Sequence, residues 1–403
     1  MPWLLSNEPV TVKSKKRHRL ENKRKQKVKL GIQEPLDYWE NHSHTGRFNG
    51  PTPKGGSQSY RNKMCPTGLA LHYPAAEFLL QYAARGCPTN TGKQWTKEQM
   101  VAAIERGPHA SALEEAPMTQ LQAEVDKKVK LQQSRVVLWE DVKHEPPKEL
   151  KVSLIAMIPH KSRMFRAIID LSFAVKMAPE GGVPAVNNTS VKTAPKGAID
   201  QLGHSLMRLI HAFAQADEDA KIFMAKWDIK DGFWRLDCKA GQEWNFAYVL
   251  PQKEGEPIRL VVPTSLQMGW IELPPYFCAA SETGRDVDEQ YIETPVGSMP
   301  DHKFIKHAAQ GAKFLKLPER TTSKDLAYML EVYVDDYISL AIPTSQEQLR
   351  HVANSVMRGV HDVFPTDDNN EEDPLSLKKL RKQEAMWALT STSWDLRLTV
   401  SKR

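Results

Sequence analysis

Apolar and polar residues alternate through Leu330-Glu331-Val332-Tyr333-Val334-Asp335-Asp336-Tyr337-Ile338-Ser339-Leu340. Val332 and Val334 share one face of an extended segment, and Glu331, Tyr333 and Asp335 share the other. Past the aspartates, Ile338, Leu340 and Ile342 resume on one side, with Tyr337, Ser339 and Ala341 opposite. The pattern predicts two strands joined by a tight acidic turn, because Asp suits turns and is poor inside strands. Phe223 to Ile229 alternates too, with Phe223, Ala225, Trp227 and Ile229 on one face and Met224, Lys226 and Asp228 on the other. Each of these strands ends on a carboxylate of its less apolar face. Set side by side, they would bring Asp228 and Asp335 together over one open face of a sheet.

Other stretches keep strand or helix periods. Strand-like runs over Leu154 to Val175 flank His160-Lys161-Ser162-Arg163, and Arg166 opens the second run. Trp244 to Leu250 and Ile258 to Val262 read as a hairpin around Gln252 to Pro257. Thr96 with Gln99 forms a capping box, Met100, Val101 and Ile104 follow at helical spacing, and Gly107-Pro108 stops the helix. Leu121, Val125 and Val129 continue the helical theme. Ile199, Leu202, Leu206, Leu209, Ile210 and Phe213 form one stripe, predicted to face the core. Gly269 permits an unusual turn, and Pro274-Pro275 suits the first turn of a helix. Residues 285 to about 325 are polar and read as an irregular insertion. Leu349, Val352, Val356 and Val360 predict a further helix, and Trp394 to Val400 a last strand.

Forty per cent hydrophobic residues in a chain of 403 supports a real core. The net charge of +6 is unevenly spread: Lys13 to Lys29 holds ten Lys or Arg and a single Glu, whereas Asp367 to Asp373 is acidic. The basic run cannot pack a core. Its plain reading is a solvated tail, and its functional reading, which does not exclude the first, is that Lys15, Lys16, Arg17, Arg19, Lys23, Arg24 and Lys25 form an arm for phosphate backbones or a nuclear-import signal. Cys65, Cys87, Cys238 and Cys278 show no metal-ligand or Cys-x-x-Cys spacing, which argues against structural zinc and a disulfide scaffold and fits a reducing compartment. Neither a signal-peptide apolar region nor a run of 18 apolar residues occurs. A cytoplasmic or nuclear location is therefore expected, with no membrane partner.

The expected organisation is a basic, unstructured tail and linker over 1–64 and a helical subdomain over 65–150. A main domain over 151–364 follows, then an acidic linker with a further segment over 365–403. Adjacent carboxylates such as Asp335 and Asp336 repel, which a divalent cation would offset. A plain surface hairpin is the rival reading of that pair. Lys161 and Arg166 on a basic hairpin could bind a triphosphate.

Taken together, "HKSRMFRAIIDLS", "KWDIKDGFW", "QMGWIELPPYF" and "YVDD" occur in an order that resembles the reverse transcriptases of retroelements, most like the gypsy class of long-terminal-repeat retrotransposons. The resemblance covers roughly residues 152 to 345. It implies an α+β right-hand polymerase, with fingers and an antiparallel palm sheet backed by helices. The implied activity is RNA-directed DNA synthesis, adding deoxynucleotides to the primer of an RNA or DNA template. By the same resemblance Asp228, Asp335 and Asp336 bind two Mg2+ ions, which Mn2+ could replace. Lys161, Arg166, Phe233, Met268 and Gly269 would contact the incoming nucleotide, Phe233 as a gate against a ribose 2′-hydroxyl. Tyr333 and Trp270 would contact nucleic acid. Glu272, in place of a small residue, departs from the pattern and is expected to perturb the nucleotide pocket. By the resemblance, 365–403 holds the acidic linker and the start of a primer grip or thumb, but no clear thumb pattern, so the rival expectations are a non-catalytic nucleic-acid-binding remnant of the same fold and a basic scaffold whose acidic hairpin is structural.

Overall fold

The computed structural model describes residues 63–161, 163–175, 182–217, 220–308, 317–321, 326–366, 372–381 and 387–388. The basic run that includes Lys15, Lys16, Arg17, Arg19, Lys23, Arg24 and Lys25 lies outside these residues, as does the strand expected at 394–400.

The chain begins with α1 (Ala76–Arg85), α2 (Lys97–Arg106) and α3 (Glu115–Lys130), then strand β1 (Ser134–Leu138). At the start of α2 the Thr96 side chain accepts from Gln99 N and the Gln99 side chain accepts from Thr96 N, so the predicted capping box is present. The segment expected as a helical subdomain over 65–150 holds these helices and also a strand that joins it to the rest, because β1 pairs antiparallel with β6 (Arg259–Pro263) from Ser134↔Pro263 to Leu138↔Arg259. Short contacts stitch the same segment to the rest: Met64 N donates to Arg235 O, and Leu69 N to Asp362 Oδ2 at 2.9 Å.

Strands β2 (Val152–His160) and β3 (Arg163–Asp170) form the predicted basic hairpin. With β5 (Ala247–Val249) they complete a five-stranded sheet in the order β1-β6-β5-β2-β3. The pairing is antiparallel except between β2 and β5.

The second sheet has three strands, β4 (Phe223–Asp228), β8 (Asp336–Ile342) and β7 (Ala327–Tyr333), in the order β4-β8-β7. One face packs on α5 (Leu273–Ile292) and α6 (Gln346–Val363), through a core that includes Trp227, Val332, Tyr337, Phe277, Val352 and Val356. The other face meets α4 (Ile199–Ala214) through Leu209, Met224, Ile338 and Leu340. The architecture is α+β. A last short helix, α7 (Leu377–Arg381), follows.

Two expectations fail for the same physical cause. Polar side chains found buried partners, so burial no longer followed hydrophobicity. Residues 285–292 are not an insertion but the end of α5, where buried Arg285 pairs with Glu282 one turn earlier and with Asp286 at 2.9 Å. On α4, Ser205 is buried while Leu206 and Ile210 are 45% and 44% exposed, so the predicted stripe only partly faces the core. The four cysteines are buried free thiols. Among the described residues no helix is long and apolar enough to cross a membrane.

Candidate active site

Pairing register gathers the acidic residues. Strand β4 runs antiparallel to β8 with Asp228 opposite Asp336, and β7 closes on β8 with Tyr333 opposite Asp336. Val334 and Asp335 form the two-residue turn between them, and Asp335 O accepts from Ile229 N at 3.1 Å. Asp228 therefore neighbours Asp336 in register and meets Asp335 through the turn, with β8 lying between the strands that were expected side by side. Val334 has φ 60°, a left-handed conformation that is strained for a β-branched residue. Behind the turn, Tyr337 Oη donates to Ser281 O at 2.8 Å. Gly284 makes room for that ring, since a Cβ there would lie 2.3 Å from Tyr337 Oη.

Burial is the main cause that pushes Asp335 up to about 6, and the charges of Asp336 and Asp228 push in the same direction. Asp336 is raised as well, again chiefly by burial, with Lys226 opposing the shift. Lys226 Nζ lies 2.7 Å from Asp336 Oδ2, and Lys379 Nζ of α7 lies 2.8 Å from Asp228 Oδ2. A cavity of about 20 Å³ beside Asp228, lined by Lys226, Ser376 and Lys379 among others, has room for about one water.

The second cluster centres on the turn before α5. Gly269 takes φ 95°, its carbonyl accepts from Asn187 Nδ2 at 2.8 Å, and Ile271 N donates to Asn187 Oδ1 at 3.0 Å. Met268, on the same turn, is exposed and its sulfur accepts from Arg166 of β3. Lys161 is exposed in the β2–β3 turn. Phe233 sits in a helical turn just after β4 and meets the Phe277 ring edge-on at 5.1 Å. Tyr333 is exposed beside the acidic turn.

Trp270 needs correction as a nucleic-acid contact. It is 1% exposed, stacks with Tyr276 and donates its indole N–H to Ser190 Oγ at 2.9 Å, so no face of the ring is open to a base. Glu272 also departs from expectation: its carboxylate accepts from Thr193 N at 2.9 Å and Ala194 N at 3.1 Å, and is committed to holding that loop.

Two solved structures show a low similarity to the chain. The chain is similar to the foamy viral protease-reverse transcriptase in complex with double-stranded DNA, at 14% identity and a TM-score of 0.32, over 68% of this chain and 34% of that one. It is similar to the native prototype foamy virus protease-reverse transcriptase at 15% identity and a TM-score of 0.32, over 69% of this chain and 25% of that one. The chain thus spans about a third or less of the length of either. No protein-family model and no curated protein sequence matches it.

The donor set suits a hard divalent cation, which prefers carboxylate oxygens. Asp335 in particular faces two other carboxylates and is driven toward its neutral form by them and by burial. The present arrangement is not a closed chelate. Two of the three carboxylates hold lysine ammoniums, and among the described residues no three acids, histidines or cysteines close on one point. Sequence reasoning missed both lysines. Lys226 was legible, since it precedes Asp228 by two on the same strand face. Lys379 arrives from a helix more than a hundred residues away along the chain, and nothing local marks it. Asn187 is equally silent in sequence, a loop residue whose role appears only once Gly269 is beside it.

Proposed function

We propose that the chain is an RNA-directed DNA polymerase of the reverse transcriptase type, with the five-stranded sheet as fingers and the three-stranded sheet as palm. One observation carries the reading: distant segments of sequence deliver Asp228, Asp335 and Asp336 to one end of an antiparallel sheet, with Asp228 opposite Asp336 in register. Mg2+, or Mn2+ in its place, would be held by these three residues as a pair of ions, supplying charge to activate a primer hydroxyl and to stabilise departing pyrophosphate.

The chain's own residues divide the remaining tasks. Lys161 and Arg166 carry positive charge on the hairpin that would meet a triphosphate, Arg166 beside Met268 and the Gly269 turn. Phe233, backed by Phe277, would crowd a ribose 2′-hydroxyl and favour deoxynucleotides. Tyr333 offers an exposed ring beside the acidic turn for the primer end.

The ion pairs of Lys226 and Lys379 favour a second reading, a nucleic-acid-binding module of the same fold without catalysis, because each gives a carboxylate a cation of the protein itself as its partner. Primer extension on a primed RNA template separates the two. The polymerase reading expects extension with deoxynucleotides, and expects Phe233→Val to raise ribonucleotide use by about tenfold. Salt-dependent binding of the primed template without extension on RNA or DNA would overturn it in favour of the binding module.

A further inference from the structure

We propose that Ser205 and Arg208 on α4 are positioning residues for Asp335 and Asp336, clamping β7 so that the strained turn keeps both carboxylates over the end of β4. The inference rests on the polymerase reading and adds to it a part of the site that no sequence motif marks.

The geometry starts from the hairpin. Tyr333 and Asp336 close the two-residue turn, so Val332↔Tyr337 is the next pair and points its backbone N–H and C=O groups away from the partner strand. Strand β7 is an edge of its sheet, and such an outward carbonyl has no ladder partner there. Ser205 supplies one: its hydroxyl, on a residue 1% exposed, donates to Val332 O at 2.9 Å. One residue earlier, Glu331 is fully buried, and Arg208 grips it with two bonds, Nε to Oε1 at 2.7 Å and Nη2 to Oε2. Arg285 of α5 also lies 4.0 Å from Glu331 Oε2. The planar fork of arginine fixes direction as well as charge, which a lysine cannot do.

These contacts act on residues three and four positions before Asp335, with only Tyr333 and Val334 between. Val334 is where the chain needs holding. Its φ of 60° in a β-branched residue is a conformation that persists only if the surroundings over-determine it. Strand β8 is pinned by Tyr337 to Ser281 O, and Asp335 O by Ile229 N, and the α4 clamp adds a polar hold on the β7 arm of the hairpin. The clamp also explains why Ser205 and Arg208 face inward on α4 while Leu206 and Ile210 are exposed.

The test is primer extension by the full chain, comparing Arg208→Met, Arg208→Lys and Ser205→Ala, each alone and with Val334→Gly. A misplacement on the scale of an ångström costs about a hundredfold in rate. Arg208→Met is therefore expected to lower kcat by about ten- to a hundredfold, with the KM for deoxynucleotide and the Kd for primed template changed by about threefold or less. Arg208→Lys is expected to fall between Arg208→Met and the wild type. Glycine adopts positive φ without strain, so Val334→Gly is expected to return kcat of Arg208→Met to within about threefold of the Val334→Gly chain. A folded Arg208→Met chain with unchanged kcat overturns the proposal. So does a loss of kcat that Val334→Gly leaves untouched, which would mark the clamp as structural only. If Arg208→Met does not fold, Ser205→Ala carries the same comparison with an expected loss of about three- to tenfold. A wild-type chain that extends no primer overturns the polymerase reading instead. Placement is then read from calorimetric titration with Mn2+, where Arg208→Met is expected to weaken binding about tenfold and unchanged affinity overturns the clamp.

Discussion

Asp335 is the residue at which fold and chemistry pull hardest against each other. Its carboxyl is pushed from 3.8 up to about 6, first by burial and then by Asp336 and Asp228. Between those values the folded chain holds a proton that the unfolded chain has released, so stability falls as pH rises through that window. Urea unfolding in the presence of a chelator is expected to show this decline between about pH 4 and pH 6, and Asp335→Asn is expected to flatten it. A decline that is the same in the wild type and in Asp335→Asn would mean that burial and the neighbouring carboxylates do not hold a proton on Asp335. Trp270 illustrates the opposite outcome at the same scale. A tryptophan after Gly269 invited a role in binding, but Tyr276 of the same motif stacks on it and Ser190, 80 residues earlier in the chain, takes its indole N–H, a partner the local sequence does not mark. Trp270→Ala is expected to cost about 3–5 kcal/mol of stability by unfolding titration. The affinity of the folded protein for primed template should not change, and a selective loss of that affinity would restore the binding role.

Local signals decided which elements were legible. The box at Thr96 and Gln99 and the turn at Asp335 depend on residues within a few positions of each other, and both stand in the structure where the pattern put them. Elements whose faces are set by distant polar partners were not legible. The end of α5 lost its apolar rhythm because Arg285 is buried among acids, and α4 turned Ser205 and Arg208 inward because Glu331 and Val332 O await them. Helix α7 bears on the proposed metal site through one side chain. Its Lys379, on a side chain 42% exposed, occupies an oxygen of Asp228 that a cation would need. Lys379→Met is expected to tighten Mn2+ binding by calorimetry by about three- to tenfold. Unchanged affinity would show that the ammonium does not compete for the site.

Over the whole molecule, the order of the four motifs carried most of what could be read in advance, because each motif owns one strand or turn of the candidate site. The joining of 63–150 to the rest could not be read, since a five-residue strand finding β6 across more than a hundred residues leaves no periodic trace. The molecule carries two sheets, one basic at its β2–β3 hairpin and one acidic at its end, and the proposed polymerase reading rests on that layout. The most direct check is the rate of single deoxynucleotide addition on a primed RNA template, for the wild type against Asp335→Asn with Asp336→Asn at saturating Mg2+. Addition by the wild type with a loss of at least about a hundredfold in the double variant is the expected result. Equal rates in the two chains, or no addition by a wild type that binds the primed template, would contradict the assignment of the site.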